Sequence, residues 1–236
     1  MNEIPKPHIP EEPSIDFYNQ YGSEYVANQR EFYSGTKDTG RKFFQDSLAH
    51  DISRLTIADV GCGAGDDAIT YKQMGGARVI GIEPSRVMLD EAKKSVEKSG
   101  LAIELLQGKW DHLPLPDESV DALTARYSFH VVPNLDRSYA EVARVLKKGG
   151  VFLIGVPHPL HDAKTVKEQA LQPGEKMKVP LFNGKFTVDI PPHTMEEYLS
   201  HTCQQYFQVE EQVGYSMHED ATEKEPSGLL LKLRRK

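Results

Sequence analysis

One short stretch constrains this chain more than any other: Ile57-Ala58-Asp59-Val60-Gly61-Cys62-Gly63-Ala64-Gly65-Asp66. Apolar residues run into a carboxylate, three glycines alternate with small residues, and two aspartates open a helical pattern at Asp66-Asp67. The order reads as buried strand, tight loop and helix N-terminus, which is where an open α/β sheet takes up a nucleotide-like ligand. Glycine belongs in such a loop because a Cβ would oppose a positive φ or hold a ligand off the backbone.

The spacing narrows the ligand. A dinucleotide fingerprint places its third glycine five residues after the first, whereas these stand at 61, 63 and 65. A phosphate-cradling loop ending in Gly-Lys-Ser/Thr is absent, and Asp59 and Asp66 bracket the loop with charge that repels a pyrophosphate. The same carboxylates suit a ligand with a cationic centre and no phosphate, such as S-adenosylmethionine with its sulfonium and α-ammonium. A tight turn in some other α/β fold fits the loop alone equally well. A second apolar run, Arg78-Val79-Ile80-Gly81-Ile82-Glu83-Pro84-Ser85, ends in an acid about 20 residues past the loop, placed to hold both ribose hydroxyls.

Together, the Asp59–Gly65 and Val79–Ser85 segments resemble the class I S-adenosylmethionine-dependent methyltransferases. Two later segments, from Trp110 to Asp121 and from Arg144 to Gly150, are similar to further landmarks of that family. They match its small-molecule branch, the ubiquinone/menaquinone-biosynthesis type (type 11), in motif detail over roughly residues 53–156. The resemblance implies a Rossmann-like, seven-stranded, mostly parallel sheet with helices on both faces and an antiparallel last strand. It also implies S-adenosyl-L-methionine as cofactor and S-adenosyl-L-homocysteine as product. By position in the motifs, it assigns Asp59, Gly61, Cys62, Gly63 and Gly65 to the methionine side of the cofactor and Glu83 to the ribose. Pro84, Met88, Trp110, Asp111 and His112 fall to the adenine, and the run Arg126-Tyr127-Ser128-Phe129-His130 after the fourth strand is placed facing the donor. An N-terminal helix closing over the cofactor makes Tyr21 and Tyr25 lid candidates.

The remaining chain reads in order. Residues 1–14 are proline-rich and charged, a flexible lead to a single domain over 15–236. Phe17, Tyr18, Tyr21, Tyr25 and Val26 recur at helical spacing, with Phe32-Tyr33 following, so 15–50 is expected to form a helical lid; the aromatic stripe serves equally to pack on the sheet. Strands are expected at Thr56–Val60, Arg78–Ile82, Ala102–Leu106, Val120–Ala125 and Gly150–Val156. Helices are expected at Lys42–His50, Asp66–Met74, Ser85 to Gly100 and Asp136–Lys147. This alternation implies parallel βαβ units with right-handed crossovers. The proline-rich stretch 157–193 breaks it and carries a hairpin signal at Asn183-Gly184, where a type I′ turn is expected. An insertion of that length after the fifth strand is a candidate lid for the methyl acceptor. Thr194–Cys203 reads as a helix opened by a Thr194/Glu197 capping box, and Tyr206–Val213 with Gly228–Leu233 as two last strands.

Methyl transfer relies mainly on alignment of donor and nucleophile, and a general base is needed only for a protonated acceptor. His130, His158, His161 and His193 are the histidines open to that part, with a structural role open for each; His130 and His158 follow strands four and five and are the candidate catalytic residues. The Asn-Pro-Pro-aromatic motif of conjugated-amine methylation is absent after strand four. A net charge of −7 argues against a nucleic-acid partner, and Arg234-Arg235-Lys236 reads as a solvated basic tail. Cys62 and Cys203 form neither a disulfide framework nor a metal-ligand spacing, and no apolar run approaches membrane-spanning length. The chain is therefore expected to be a cytoplasmic enzyme that methylates an O, N, C or S atom of a small molecule. A non-catalytic S-adenosylmethionine-binding protein and an enzyme acting on tRNA or protein are the alternatives.

Overall fold

A computed structural model describes residues 13–32, 39–216 and 226–236. The 1–12 part of the proline-rich lead and Tyr33 lie outside the described residues. Seven strands form one sheet: β1 (Thr56–Val60), β2 (Arg78–Glu83), β3 (Glu104–Gln107), β4 (Val120–Arg126), β5 (Leu146–Pro157), β8 (Phe207–Tyr215) and β9 (Gly228–Arg235), in the order β3-β2-β1-β4-β5-β9-β8. The first five are mutually parallel, and β9 runs antiparallel to both β5 and β8. A separate antiparallel pair, β6 (Met177–Leu181) and β7 (Phe186–Ile190), forms the expected hairpin, with positive φ at both Asn183 (57°) and Gly184 (81°).

The helices are α1 (Pro13–Phe32), α2 (Thr39–Ala49), α3 (Asp66–Gln73), α4 (Arg86–Ser99), α5 (Leu135–Val145), α6 (Pro159–Glu168), α7 (Met195–Tyr198) and α8 (His201–Tyr206). The central strands are buried on both faces, and alternate residues feed two cores. Ala58, Leu123, Phe152 and Ile154 join Phe129, Tyr139 and Tyr198 on one side. Ile57, Ala122 and Leu153 meet Phe44, Leu48 and Tyr71 of α2 and α3 on the other. The switch between these faces lies where β1 and β4 are neighbours and their connections leave in opposite directions, which opens a crevice at the carboxyl ends of the strands.

Several boundaries differ from the sequence reading for local reasons. The helix expected over Thr194–Cys203 is two: the capping box forms at Thr194 and Glu197, but Ser200 stops that turn and caps α8 by accepting from Cys203 N. Strand five starts at Leu146 rather than Gly150, because Leu146 already pairs with Val120 before a bulge. The basic tail is no solvated end: it closes β9, with Arg234 on Glu210 and Arg235 on Glu118. The 157–193 insertion adds a helix, α6, that its proline content concealed; Pro159 sits at the helix start, where its missing N–H costs nothing. No helix among the described residues is long and apolar enough to cross a membrane.

Candidate functional site

The crevice over β1, β2 and β4 is a cleft which, with its mouth, encloses about 1000 Å³. Its floor is the glycine loop. Gly61 has φ +69°, and a Cβ there would stand 2.3 Å from Ser128 Cβ, so the first and fourth strands can approach only through glycine. The N–H groups of Gly61 and Cys62 both donate to Ile82 O, at 2.7 and 3.1 Å. Gly63, at φ +54°, donates to Glu83 Oε2 at 2.9 Å. Glu83 Oε1 accepts from Ser85 N at 3.0 Å, so one buried carboxylate pins the loop and the start of α4 together. Burial pushes its pKa up to about 7 against the pull of those two N–H donors.

Asp59 stands beside it, one residue before the end of β1. Its Oδ1 accepts from Thr124 Oγ1 at 2.8 Å, while its Oδ2 is buried with no partner. Burial, then the nearby Asp67, raises this carboxyl to about 7, opposed by the Thr124 hydrogen bond and Arg126. Asp67 in turn is held by Arg126 Nε at 2.5 Å and Arg41 Nε at 2.9 Å. The acidic floor is thus a fixed array, with one oxygen turned away from every protein donor.

The roof is α1. Ser14, Ile15, Tyr18, Tyr25 and Gln29 face the cleft. Gly22 lets the helix settle on α4: a Cβ would come within 3.0 Å of Met88 Sδ and Val87 Cγ1. Asn19 Oδ1 accepts from Ser85 Oγ (2.9 Å) and Arg86 N (3.0 Å), and Ser23 Oγ donates to Glu91 at 2.7 Å. The outer side of α1 is covered by the β6–β7 hairpin through Phe17 against Phe186 and Tyr25 against Phe182. Among the described residues the cleft wall includes none from 157–193, so the insertion forms a second layer over the roof.

The structure brings Tyr25, Asp59, Gly61, Cys62, Gly63, Glu83, Pro84, Met88, Trp110 and Arg126 to this cleft. It leaves others outside the wall. Tyr21 lies round the helix toward the hairpin, exposed and packed on Phe17 and Phe186. Gly65, at φ +83°, serves as N-cap of α3. Asp111 and His112 are exposed in a tight turn, where His112 N donates to Lys109 O at 3.0 Å. Both candidate catalytic histidines are also elsewhere. His158 caps α6, its Nδ1 accepting from Leu160 N at 3.3 Å. His130 sits in the 3₁₀ turn Phe129–Val131 with Nδ1 buried and unpartnered; burial and then His193 push its pKa down to about 4. His193 is buried too, its Nε2 hydrogen-bonded to Val132 O at 2.8 Å.

Sequence reasoning did not assign Tyr18, Lys109 or Val131 to the wall, whereas Tyr127 and Ser128 stand in the run after the fourth strand that the resemblance places facing the donor. Tyr18 was visible, since it stands two helical turns from Tyr25 and shares its face. The partner of Tyr127 was not: the residue carries a left-handed backbone (φ +53°), and its hydroxyl hydrogen-bonds that of Tyr215, 88 positions away.

A family model described as "Methyltransferase domain" matches residues 58–154. A demethylmenaquinone methyltransferase of Lactobacillus johnsonii is 33% identical over 146 residues, covering 60% of this chain and 59% of that protein. Sterol 24-C-methyltransferase ERG6B of Gibberella zeae is 32% identical over 144 residues, covering 59% of this chain and 38% of that protein. The chain thus matches less than two thirds of either relative's length. An S-adenosylmethionine-dependent methyltransferase structure from Mesorhizobium loti shares the fold, with a TM-score of 0.64 at 21% identity over 84% of this chain and 98% of that one.

Proposed function

We propose that this chain, which belongs to the class I S-adenosylmethionine-dependent methyltransferases, transfers a methyl group from that cofactor to a small-molecule acceptor. The residues fit the cofactor on three counts. Glu83 keeps acceptor capacity after its two backbone hydrogen bonds and takes the ribose hydroxyls. The unpartnered Asp59 Oδ2 receives the α-ammonium, a cation that favours the ionised carboxylate. The loop Gly61–Gly63 offers bare backbone to the methionine chain, and Arg126 faces its carboxylate. Pro84, Met88 and Trp110 supply the apolar surface for adenine. Of these observations, the buried Glu83 carboxylate between Gly63 and Ser85 carries the reading.

The cofactor supplies an activated methyl group on a sulfonium. The chain's own part is to hold, orient and exclude water, which is where alignment lowers the barrier. Tyr18, Tyr25, Tyr127 and Val131 give the mouth an apolar and aromatic lining toward the acceptor side. His130 and His158 take no proton in this reading, because one is half-buried off the wall and the other caps a helix. The small-molecule acceptor is supported by the sterol and demethylmenaquinone methyltransferases among the relatives. A cytoplasmic setting is supported by two free buried thiols, Cys62 and Cys203.

The test is thermal unfolding with S-adenosylmethionine, S-adenosylhomocysteine or NAD. An adenosyl ligand at 100 times its dissociation constant stabilises by about 2.7 kcal/mol, a shift of several degrees. Glu83→Gln should weaken S-adenosylhomocysteine binding roughly tenfold or more, since the amide accepts through one oxygen only. Stabilisation by NAD alone, or by none of the three, would sink the proposal.

A further inference from the structure

The opposite edge of the main sheet carries a second cleft, and its charge runs against that of the whole molecule. β4 and β5 pair Val120 with Leu146 and next Ala122 with Val151, so residues 147–150 loop out beside Asp121. Gly150 makes this bulge possible: a Cβ there would stand 2.6 Å from Leu146 Cδ2 and 3.0 Å from Asp121 O. Gly149 adds a left-handed turn at φ +74°. Bulges of this kind re-aim side chains, and this one carries Lys147 and Lys148. The end of β9 brings Lys232 and Arg234 alongside, and the four cations line a cleft that encloses about 900 Å³ with its mouth.

Two carboxylates, Asp51 and Asp121, share the wall. Asp121 is already occupied, by Thr56 N at 2.9 Å and Lys147 Nζ at 2.7 Å. Arg234 is braced by Glu210, at 2.8 and 2.9 Å, and donates to Gly149 O at 2.8 Å. Lys232 lies 3.7 Å from the same Glu210, and Lys148 is exposed. With the bracing Glu210 counted, four cations meet three acids, which leaves the cleft positive on a chain of net charge −7. A concave wall with an excess of one sign focuses its field on a small counter-ion. Ammonium and guanidinium donors around one space match an anion with several oxygens better than a monovalent one.

We propose that this cleft binds a polyvalent oxyanion of the phosphate class, either a free polyphosphate or the phosphate chain of a nucleotide. The site stands at the amino ends of β4 and β5, at the other edge of the sheet from the glycine loop. It is independent of the methyltransferase reading.

The test is calorimetric titration of the full chain with inorganic pyrophosphate, and separately with ATP, at matched ionic strength. One saturable site is expected. The doubly reversed variant K148E/K232E should lose roughly tenfold or more in affinity, as removal of two charge-assisted donors implies. Its circular-dichroism melt reports whether it folds; if it does not, K148E alone, at an exposed position, must weaken binding. Equal affinities for the two probes assign the site to a phosphate chain, and tighter ATP binding assigns it to a nucleotide. A response no larger than that to sodium chloride, or full retention of affinity in the folded variants, overturns the proposal. Binding of a long polyanion such as heparin without any response to pyrophosphate overturns it too.

Discussion

The floor and the roof of the cofactor cleft are built on different principles. The floor is backbone: glycines at positive φ, N–H groups paired across adjacent strands, and one carboxylate locking the loop to α4. The roof is side chain: one helix laid on α4 through a glycine and a few polar bonds, then covered by an aromatic layer from a hairpin beyond residue 176. A floor of that kind tolerates almost no change in shape, because backbone atoms have nowhere to move. A roof held by side chains on α1 and α4 has adjustable contacts and lower local stability, as an entry route requires.

The largest effect should come from breaking the floor. Gly61→Val adds a branched side chain where a Cβ already overlaps Ser128, at a φ that valine resists. It should destabilise by about 3 kcal/mol or more, read by urea unfolding. Pairing Gly61→Ala with Ser128→Gly should recover much of the loss by removing the overlap, leaving the φ strain of about 1 kcal/mol.

The floor also predicts a pH signature. Asp59 has a folded-state pKa raised to about 7, so between about pH 4 and 7 the folded state holds a proton that the unfolded state has released. Stability contributed by this group therefore falls as pH rises through that window. Asp59→Asn abolishes the slope: relative to wild type, the variant should gain stability from pH 5 to pH 8 while binding S-adenosylhomocysteine more weakly at both. Paired unfolding curves at the two pH values check it; a constant difference between the proteins means Asp59 titrates normally. The comparison must be differential, because the half-buried His130, with its pKa pushed down to about 4, contributes the opposite slope.

Breaking the roof should cost less. Gly22→Val presses on Met88 Sδ and Val87 Cγ1, and lifting the helix should cost about 1–2 kcal/mol. Its readout is faster ligand release and faster amide exchange in α1, with α3 and the central strands unchanged. The smallest effect belongs to the hairpin tip. Lys185 meets Glu24 at 3.2 Å and Asn28 at 2.8 Å, but both contacts are solvated, so Lys185→Ala should change stability by less than about 0.5 kcal/mol. A larger loss would mean that the hairpin, and not α4, holds the roof down.

This contrast also explains what could be read in advance. β1 at Thr56–Val60 matches its expected bounds because a short, mostly apolar run ending in glycine has one outcome in a central parallel strand. The Ser85 cap, the Gly100 stop and the Asn183-Gly184 turn are equally local signals, each written in one or two residues. Tyr21, Asp111 and His112 lie off the cleft wall because helix periodicity and motif position give a neighbourhood, not a facing direction. His158 looked available at a strand end until α6, hidden among prolines, used it as a cap.

By itself, then, the sequence determined the strand–loop–helix unit at 57–73, the acid at Glu83, the parallel alternation that follows, and the hairpin turn. All of these depend on residues a few positions apart, or on one spacing between two short motifs. Only the tertiary structure decided which aromatic residues roof the cleft, that the insertion lies over α1, that Tyr127 meets Tyr215, and that the β5 bulge gathers lysines from β5 and β9. Those contacts join segments tens of residues apart, and their geometry follows from how sheet and helices pack, which no local pattern encodes.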